Sequence, residues 1–386
     1  MNTESKKPRL LFLDNIKVLF SILVIFQHAR VTYGGTGWWY YIELPPTDIF
    51  SIIFFILLSS IGGFFQASLM GLFFLMGGYF TPKSYDRKGV RSFWKERILR
   101  LGLPILLYVV IINPIMVYSL NALGIYPWPL PGSILGFLTF WGPMWFLVVL
   151  LIFTAGYTLW RQITKIEIIQ RHIPKEFLIP KYLYLFLIAL GLGFSTFLVR
   201  IFFSIDDTLL GLPLSFIIQY IMMFITGVII VRYDWIKKIT KNHVKVWVII
   251  ITAAFLLFFA YAIPVLGFET DYSVLMGGFN LHALIFALVE NIISVGMIFV
   301  LLKIFYAKFN KQGKILQNLS SSAFYIYLIH PPILVLVSLV FLFTPLLPAV
   351  KLAIVFPLTV LFCYLLSHFV LEKIHLRKSI KLIRNS

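Results

Sequence analysis

The feature that most constrains this chain is an alternation. Apolar runs of about 20 residues, the length that crosses a bilayer as a helix, are separated by short hydrophilic segments that are by turns basic and nearly free of Lys and Arg. A soluble helix needs only an apolar stripe, whereas a segment in hydrocarbon must satisfy its own backbone as a helix or in a closed barrel. Unbroken runs of this length select the helix. Composition agrees, since 60% of the residues are hydrophobic and 12% charged, against roughly 25% charged in an ordinary soluble domain. The sequence therefore predicts an all-α, polytopic integral membrane bundle of about ten transmembrane helices, near 11–31, 50–80, 99–119, 141–160, 181–201, 213–231, 246–264, 281–302, 321–343 and 349–370. The second run contains Gly62, Gly63, Gly71, Gly77 and Gly78, so a bend or tilt is expected there. Without a long hydrophilic stretch or a visible repeat, residues 1–386 read as one transmembrane domain.

Charge supplies an orientation. Of the 33 Lys and Arg residues, 29 fall in segments 1–10, 81–100, 161–183, 232–245, 303–314 and 371–386. The alternate segments hold only Arg30, Arg200 and Lys351, and Lys17 lies within the first run. Basic residues mark cytoplasmic loops, so both termini are expected in the cytoplasm. This partition accounts for the net charge of +18 without nucleic acid. Lys6, Lys7 and Arg9 precede an apolar run that ends in Gln27-His28-Ala29-Arg30 with no small-x-small cleavage pattern, which argues for a first transmembrane helix rather than a signal peptide. One cysteine, Cys363, excludes an intrachain disulfide and a cysteine metal cluster. The acidic residues Glu43, Asp48, Asp206, Asp207, Glu269 and Asp271 are scattered, and no metal is expected. The outer segments are aromatic, as in Trp38-Trp39-Tyr40-Tyr41 and Tyr126-Pro127-Trp128, and suit either an interfacial belt or a stacking surface for a sugar or lipid headgroup.

Few residues within the spans can carry chemistry. Asp14 and Lys17, three apart near the inner end of the first helix, are placed to pair. His28 is 14 residues from Asp14, roughly 21 Å along a helix, too far for the two to be partners. Near the outer end its imidazole could take a proton from a hydroxyl; the alternative is a hydrogen-bonded histidine that only positions helices. Arg97 and Arg100 open the third helix three residues apart, on one expected face. Arginine forks suit phosphates presented from the cytoplasm, and a positive-inside anchor explains them as well. In Asn318-Leu319-Ser320-Ser321-Ser322 an N-cap is expected, which puts His330 about ten residues into the ninth helix, near the middle of the bilayer. Pro331 and Pro332 follow it and free carbonyls there. Glu290, mid-span in the eighth helix, and His282 at its outer end are secondary candidates. Phosphate-loop, zinc-protease and serine-elbow motifs do not occur.

Taken in order, Leu13-Asp14-Asn15-Ile16-Lys17 through His28, Phe74-Leu75-Met76-Gly77-Gly78-Tyr79-Phe80, Arg97-Ile98-Leu99-Arg100, Met144-Trp145-Phe146-Leu147 and Tyr325-Ile326-Tyr327-Leu328-Ile329-His330-Pro331 resemble the membrane acyltransferase 3 family over nearly the whole chain. The resemblance implies an integral inner-membrane O-acyltransferase. Such an enzyme moves an acetyl or succinyl group from cytoplasmic acetyl-CoA or another acyl-CoA to a hydroxyl of an extracytoplasmic glycan or glycolipid. It implies His28 and His330 as catalytic residues and Arg97 and Arg100 as donor-binding residues, with Asp14, Trp145 and Tyr327 as further candidates. The usual Leu-Ser-Gly segment appears as Leu75-Met76-Gly77, and an appended esterase-like domain found in some members has no counterpart in this sequence. The competing reading is a secondary transporter or exporter of a small glycan or lipid precursor, compatible with ten helices and a proline-broken helix. Acceptor and oligomeric state are not legible in these residues.

Overall fold

A computed structural model describes residues 10–35, 37–43, 49–165, 174–266 and 273–371. Asp48, Glu269, Asp271 and the basic ends before Leu10 and after Leu371 lie outside the described residues. Among the described residues the only extended pairing is an isolated bridge between Leu209 and Leu212. The helices are α1 (Leu11–Thr32), α2 (Ile49–Arg97), α3 (Leu103–Leu107), α4 (Asn113–Ala122), α5 (Ile134–Leu138), α6 (Trp145–Ile163), α7 (Tyr182–Arg200) and α8 (Ile217–Arg232), of which α3 and α5 are short. They are followed by α9 (Trp235–Lys238), α10 (Lys241–Leu266), α11 (Ser273–Met276), α12 (Leu281–Lys308), α13 (Lys314–Val340) and α14 (Pro348–Leu366), of which α9 and α11 are single turns.

Among the described residues nine helices are long and apolar enough to cross a membrane, and one of them, Ser68–Ala122, runs for 55 residues. At 1.5 Å per residue that is roughly 80 Å, more than twice a hydrocarbon core. It breaks at Gly89, whose φ of 70° and ψ of 169° are all but closed to residues with a Cβ. The runs read as 50–80 and 99–119 therefore lie on the two arms flanking this break. The expected bend within the second run moves accordingly: Gly89, in the hydrophilic segment, is the residue of α2 with non-helical geometry, and glycines of the run itself serve packing. A Cβ on Gly78 would stand 2.0 Å from the Phe224 carbonyl oxygen, and one on Gly227 would stand 2.0 Å from that of Leu75. Bare backbone at these two positions lets α2 and α8 approach closely, the device that joins helices where lipid removes the hydrophobic drive.

Prolines shape the next arm. Two π turns, Ile98–Gly102 and Tyr108–Ile112, precede Pro104 and Pro114. In them the N–H of Leu103 bonds the carbonyl of Ile98, and that of Asn113 bonds Tyr108. A proline ring clashes with the carbonyl four residues back, and widening the preceding turn to i→i+5 relieves the clash.

The chain divides into two compact units, one of residues 1–33 and 301–386 and the other of residues 34–300. In the first, α1 packs on α13 and α14 around Ile25, Ile326 and Cys363, all but completely buried. In the second, Phe74 of α2 is ringed by Phe146 and Phe153 of α6 and Tyr220 of α8, at centroid distances of 4.7, 5.1 and 4.7 Å. The three contacts are tilted, with ring planes 56°, 55° and 34° apart.

Candidate functional site

Within the first unit, α1 and α13 bring two histidines together. The His28 and His330 rings lie 5.3 Å apart, centroid to centroid, with planes 17° from parallel. His330 is fully buried and His28 half-buried. Two turns earlier, Ser21 Oγ donates to the carbonyls of Lys17 and Ala323, at 2.9 and 3.2 Å, and so pins α1 to α13. Nδ1 of His330 lies 2.6 Å from the Tyr327 carbonyl oxygen, and the Tyr327 ring flanks the imidazole at 5.7 Å. Beside the pair, Arg30 Nε donates to Gln27 Oε1 at 2.9 Å, and Thr32 Oγ1 donates to the His28 carbonyl at 3.2 Å.

The N-cap expected at Asn318 or a neighbouring serine is not there. The helix starts earlier, at Lys314 with Gly313 as its cap residue, and Ser320 and Ser321 donate back to the carbonyls of Gln317 and Asn318 inside it. Small hydroxyls can serve either role, and the backbone from Gly313 onward decides which. His330 is then 16 residues into its helix rather than about ten.

At the opposite end of α1, Asp14 pairs with Lys17 at 2.6 Å. Next to it Asn15 donates to the carbonyls of Phe309 and Lys311, at 2.6 and 3.1 Å, and accepts from Gln312 at 2.7 Å. Asn15 thus tethers the helix start to the segment before α13, while Asp14 pairs within its own helix.

The remaining candidates belong to the second unit and do not form one cluster. Arg97, half-buried, donates to Thr81 Oγ1 at 3.1 Å and lies over the Phe93 ring at 5.2 Å, whereas Arg100 is exposed within the first π turn. The single face expected from α-helical spacing is altered by that wider turn. Lys88 and Glu96 form an ion pair in the same region, and Asp86 holds both Arg161 and Arg232 at 3.2 Å. Trp145 stacks on Tyr220 at 5.6 Å, part of the aromatic core. His282 Nδ1 meets the Tyr261 hydroxyl at 2.6 Å.

Glu290 accepts from Arg200 Nη2 at 2.6 Å, with both side chains buried. The Arg200 guanidinium also lies over the rings of Phe216 and Phe286, at 4.8 and 5.8 Å. Sequence reasoning missed this pairing although a signal existed: a mid-span glutamate needs a cation, and Arg200 is one of the few basic residues outside the Lys- and Arg-rich segments.

Among the aromatic segments, Tyr40 donates to Asn113 Oδ1 at 2.6 Å and bonds the Tyr108 hydroxyl at 3.0 Å, while Trp128 Nε1 donates to the Trp39 carbonyl at 2.7 Å. Burial raises the Tyr40 hydroxyl well above its ordinary value, helped by Tyr108, and lifts Tyr126 to about 12. Both remain neutral at any physiological pH. Among the described residues no group of three His, Cys, Asp or Glu side chains is placed to hold a metal ion.

Residues 10–368 match the acyltransferase 3 model, described as an acyltransferase domain. The chain is also similar to the glucans biosynthesis protein C of Salmonella paratyphi B, Salmonella heidelberg and Salmonella schwarzengrund, 28% identical over 99 residues in each case. Those 99 residues are 26% of this chain and 23% of each relative, so the chain spans about a quarter of the length of the curated relatives it matches. No solved structure matches the chain.

Proposed function

Because the chain belongs to the acyltransferase 3 family, with the family model covering residues 10–368 of 386, we propose that it is a membrane O-acyltransferase whose acceptor is a glycan or glycolipid hydroxyl. The observation that carries this reading is the His28–His330 pair, one imidazole fully buried and the other half-buried, held together within spanning helices. Imidazole can be neutral in an apolar setting and still take a proton near neutral pH. In the proposed step the acceptor oxygen attacks the thioester carbonyl, a C–O bond forms, and the C–S bond breaks. The hydroxyl proton passes to His28, which returns it to the departing thiolate.

The donor in this reading is a cytoplasmic acyl-CoA. Its phosphates suit Arg100, which is exposed, and Arg97, which Thr81 and Phe93 hold in place. Acetyl and succinyl are the groups we favour, and the glucan named for the relatives makes a periplasmic or surface glycan the natural acceptor class. Residues 1–386 would then be one acyltransferase domain in the cytoplasmic membrane, with both chain ends inside. The transporter reading gains no specific observation.

Purified protein in nanodiscs is expected to consume labelled acyl-CoA only when a glycan acceptor is present, and a deletion strain should lack an O-acyl group that mass spectrometry finds on its parent's glycans. Acceptor-independent behaviour, or unchanged glycans, would reject the proposal. Topology reporters fused after residues 90, 238 and 308 should read as cytoplasmic and those after 128 and 206 as external. A cytoplasmic signal at 128 would reject the proposed sidedness.

A further inference from the structure

We propose that Pro331 is a positioning residue that sets the tautomer of His330, so that this imidazole works in proton transfer only as an acceptor, through Nε2. The inference rests on the reading above, in which the histidine pair handles the acceptor's proton. It starts from the backbone. In a regular helix the carbonyl of residue 327 accepts the N–H of residue 331. Residue 331 is proline and has no N–H to give, although α13 continues through it to Val340. A carbonyl deprived of its donor in hydrocarbon is costly, and the structure shows what answers it: His330 Nδ1, 2.6 Å from the Tyr327 oxygen.

A carbonyl oxygen can only accept, so Nδ1 carries the hydrogen. A neutral imidazole has one N–H, and Nε2 therefore holds the lone pair. Whatever group faces Nε2, neutral His330 meets it as an acceptor. Its ring is held on two sides, by the Tyr327 carbonyl and by the His28 ring 5.3 Å away. Proton traffic across the pair thereby acquires a direction, with His330 as the receiving partner and never the donor until it has itself been protonated.

Pro332 removes the N–H that would serve the Leu328 carbonyl, an oxygen to which the structure gives no bond from His330 Nδ1. The two prolines thus bend the same helix but differ in their expected effect on the imidazole, which separates tautomer control from helix shape.

The test uses full-length protein labelled with [15N]histidine in nanodiscs, with the His330 signals assigned by difference from His330→Gln. The wild type is expected to show His330 as the Nδ1–H tautomer. Pro331→Ala restores the competing N–H; it should yield mixed tautomers and turnover per folded molecule lower by about three- to ten-fold, the worth of one hydrogen bond, with the acyl-CoA KM unchanged. Pro332→Ala should keep both the tautomer and the turnover. An Nε2–H tautomer in the wild type, an unshifted tautomer in Pro331→Ala, or a shifted tautomer with unchanged turnover would each overturn the proposal. If Pro331→Ala does not fold, the wild-type spectrum decides alone. Wild-type protein that shows the Nδ1–H tautomer but transfers no acyl group would instead overturn the acyl-transfer reading and leave the tautomer assignment standing.

Discussion

Arg200 with Glu290, and His28 with His330, are both polar pairs on membrane-spanning helices, where an isolated charge is expensive, yet they end in different states. Arg200 and Glu290 meet at 2.6 Å and the guanidinium is backed by two aromatic rings, so each charge cancels the other. His28 and His330 have no opposite charge between them and need none, since imidazole is neutral in one of its two ordinary forms. The ion pair is a closed unit whose members lose heavily if either changes. The histidine pair is uncharged at rest, and each ring still has a nitrogen that can accept a proton. Burial of a polar group is therefore not by itself a mark of catalysis; what separates the two pairs is whether the group can change charge state where it sits.

The comparison breaks most visibly at His28. Replacement by Gln is expected to lower turnover per folded molecule by about 10²- to 10⁴-fold, or roughly 3 to 5 kcal/mol of transition-state stabilisation, because the amide keeps polarity but has no useful basicity. Monodisperse elution would measure folding, and acyl transfer would measure turnover. More than a third of wild-type turnover in well-folded protein would move the base to His330.

Glu290→Gln should do the reverse. It strands a buried guanidinium, and losing one partner of such a pair costs about 3 to 5 kcal/mol. The melting temperature and the yield of folded protein should fall, with turnover per folded molecule near normal. Replacing both members, Arg200→Met with Glu290→Leu, should recover most of the stability. A folded Glu290→Gln protein without activity would place this pair in the chemistry after all.

Smaller effects sharpen the distinction between anchored and exposed cations. Arg100→Lys should raise the acyl-CoA KM by roughly tenfold, the loss of one charge-assisted hydrogen bond, while kcat holds. Arg97→Lys should add a stability loss, because Arg97 also serves Thr81 and Phe93. Unchanged kinetics in both would return them to the role of membrane anchors. Gly78→Ala and Gly227→Ala should each destabilise by about 1 to 3 kcal/mol through overpacking, measured as a lower melting temperature, without a specific effect on KM. Wild-type stability in both would mean that α2 and α8 separate more easily than a 2.0 Å clash permits.

What the sequence determined by itself is what local chemistry and the bilayer dictate together. Run length and composition specify membrane-spanning helices, because lipid leaves the backbone little choice. Proline positions mark where Tyr327 and Leu328 lose their helical donors, and the ordered short motifs point to an acyltransferase. Asp14 and Lys17 were legible as a pair because three residues on one helix are neighbours in any tertiary context. Partners on different helices were not. That His28 faces His330, that Glu290 is answered by Arg200 and that Asn15 holds the segment before α13 depend on helix rotation and contact, which hydropathy does not encode. The helix start at Lys314, the π turn that separates the surroundings of Arg97 and Arg100, and the break at Gly89 likewise came from the tertiary structure. Each is a compromise between backbone hydrogen bonding and packing, settled only once the neighbouring helices are in place.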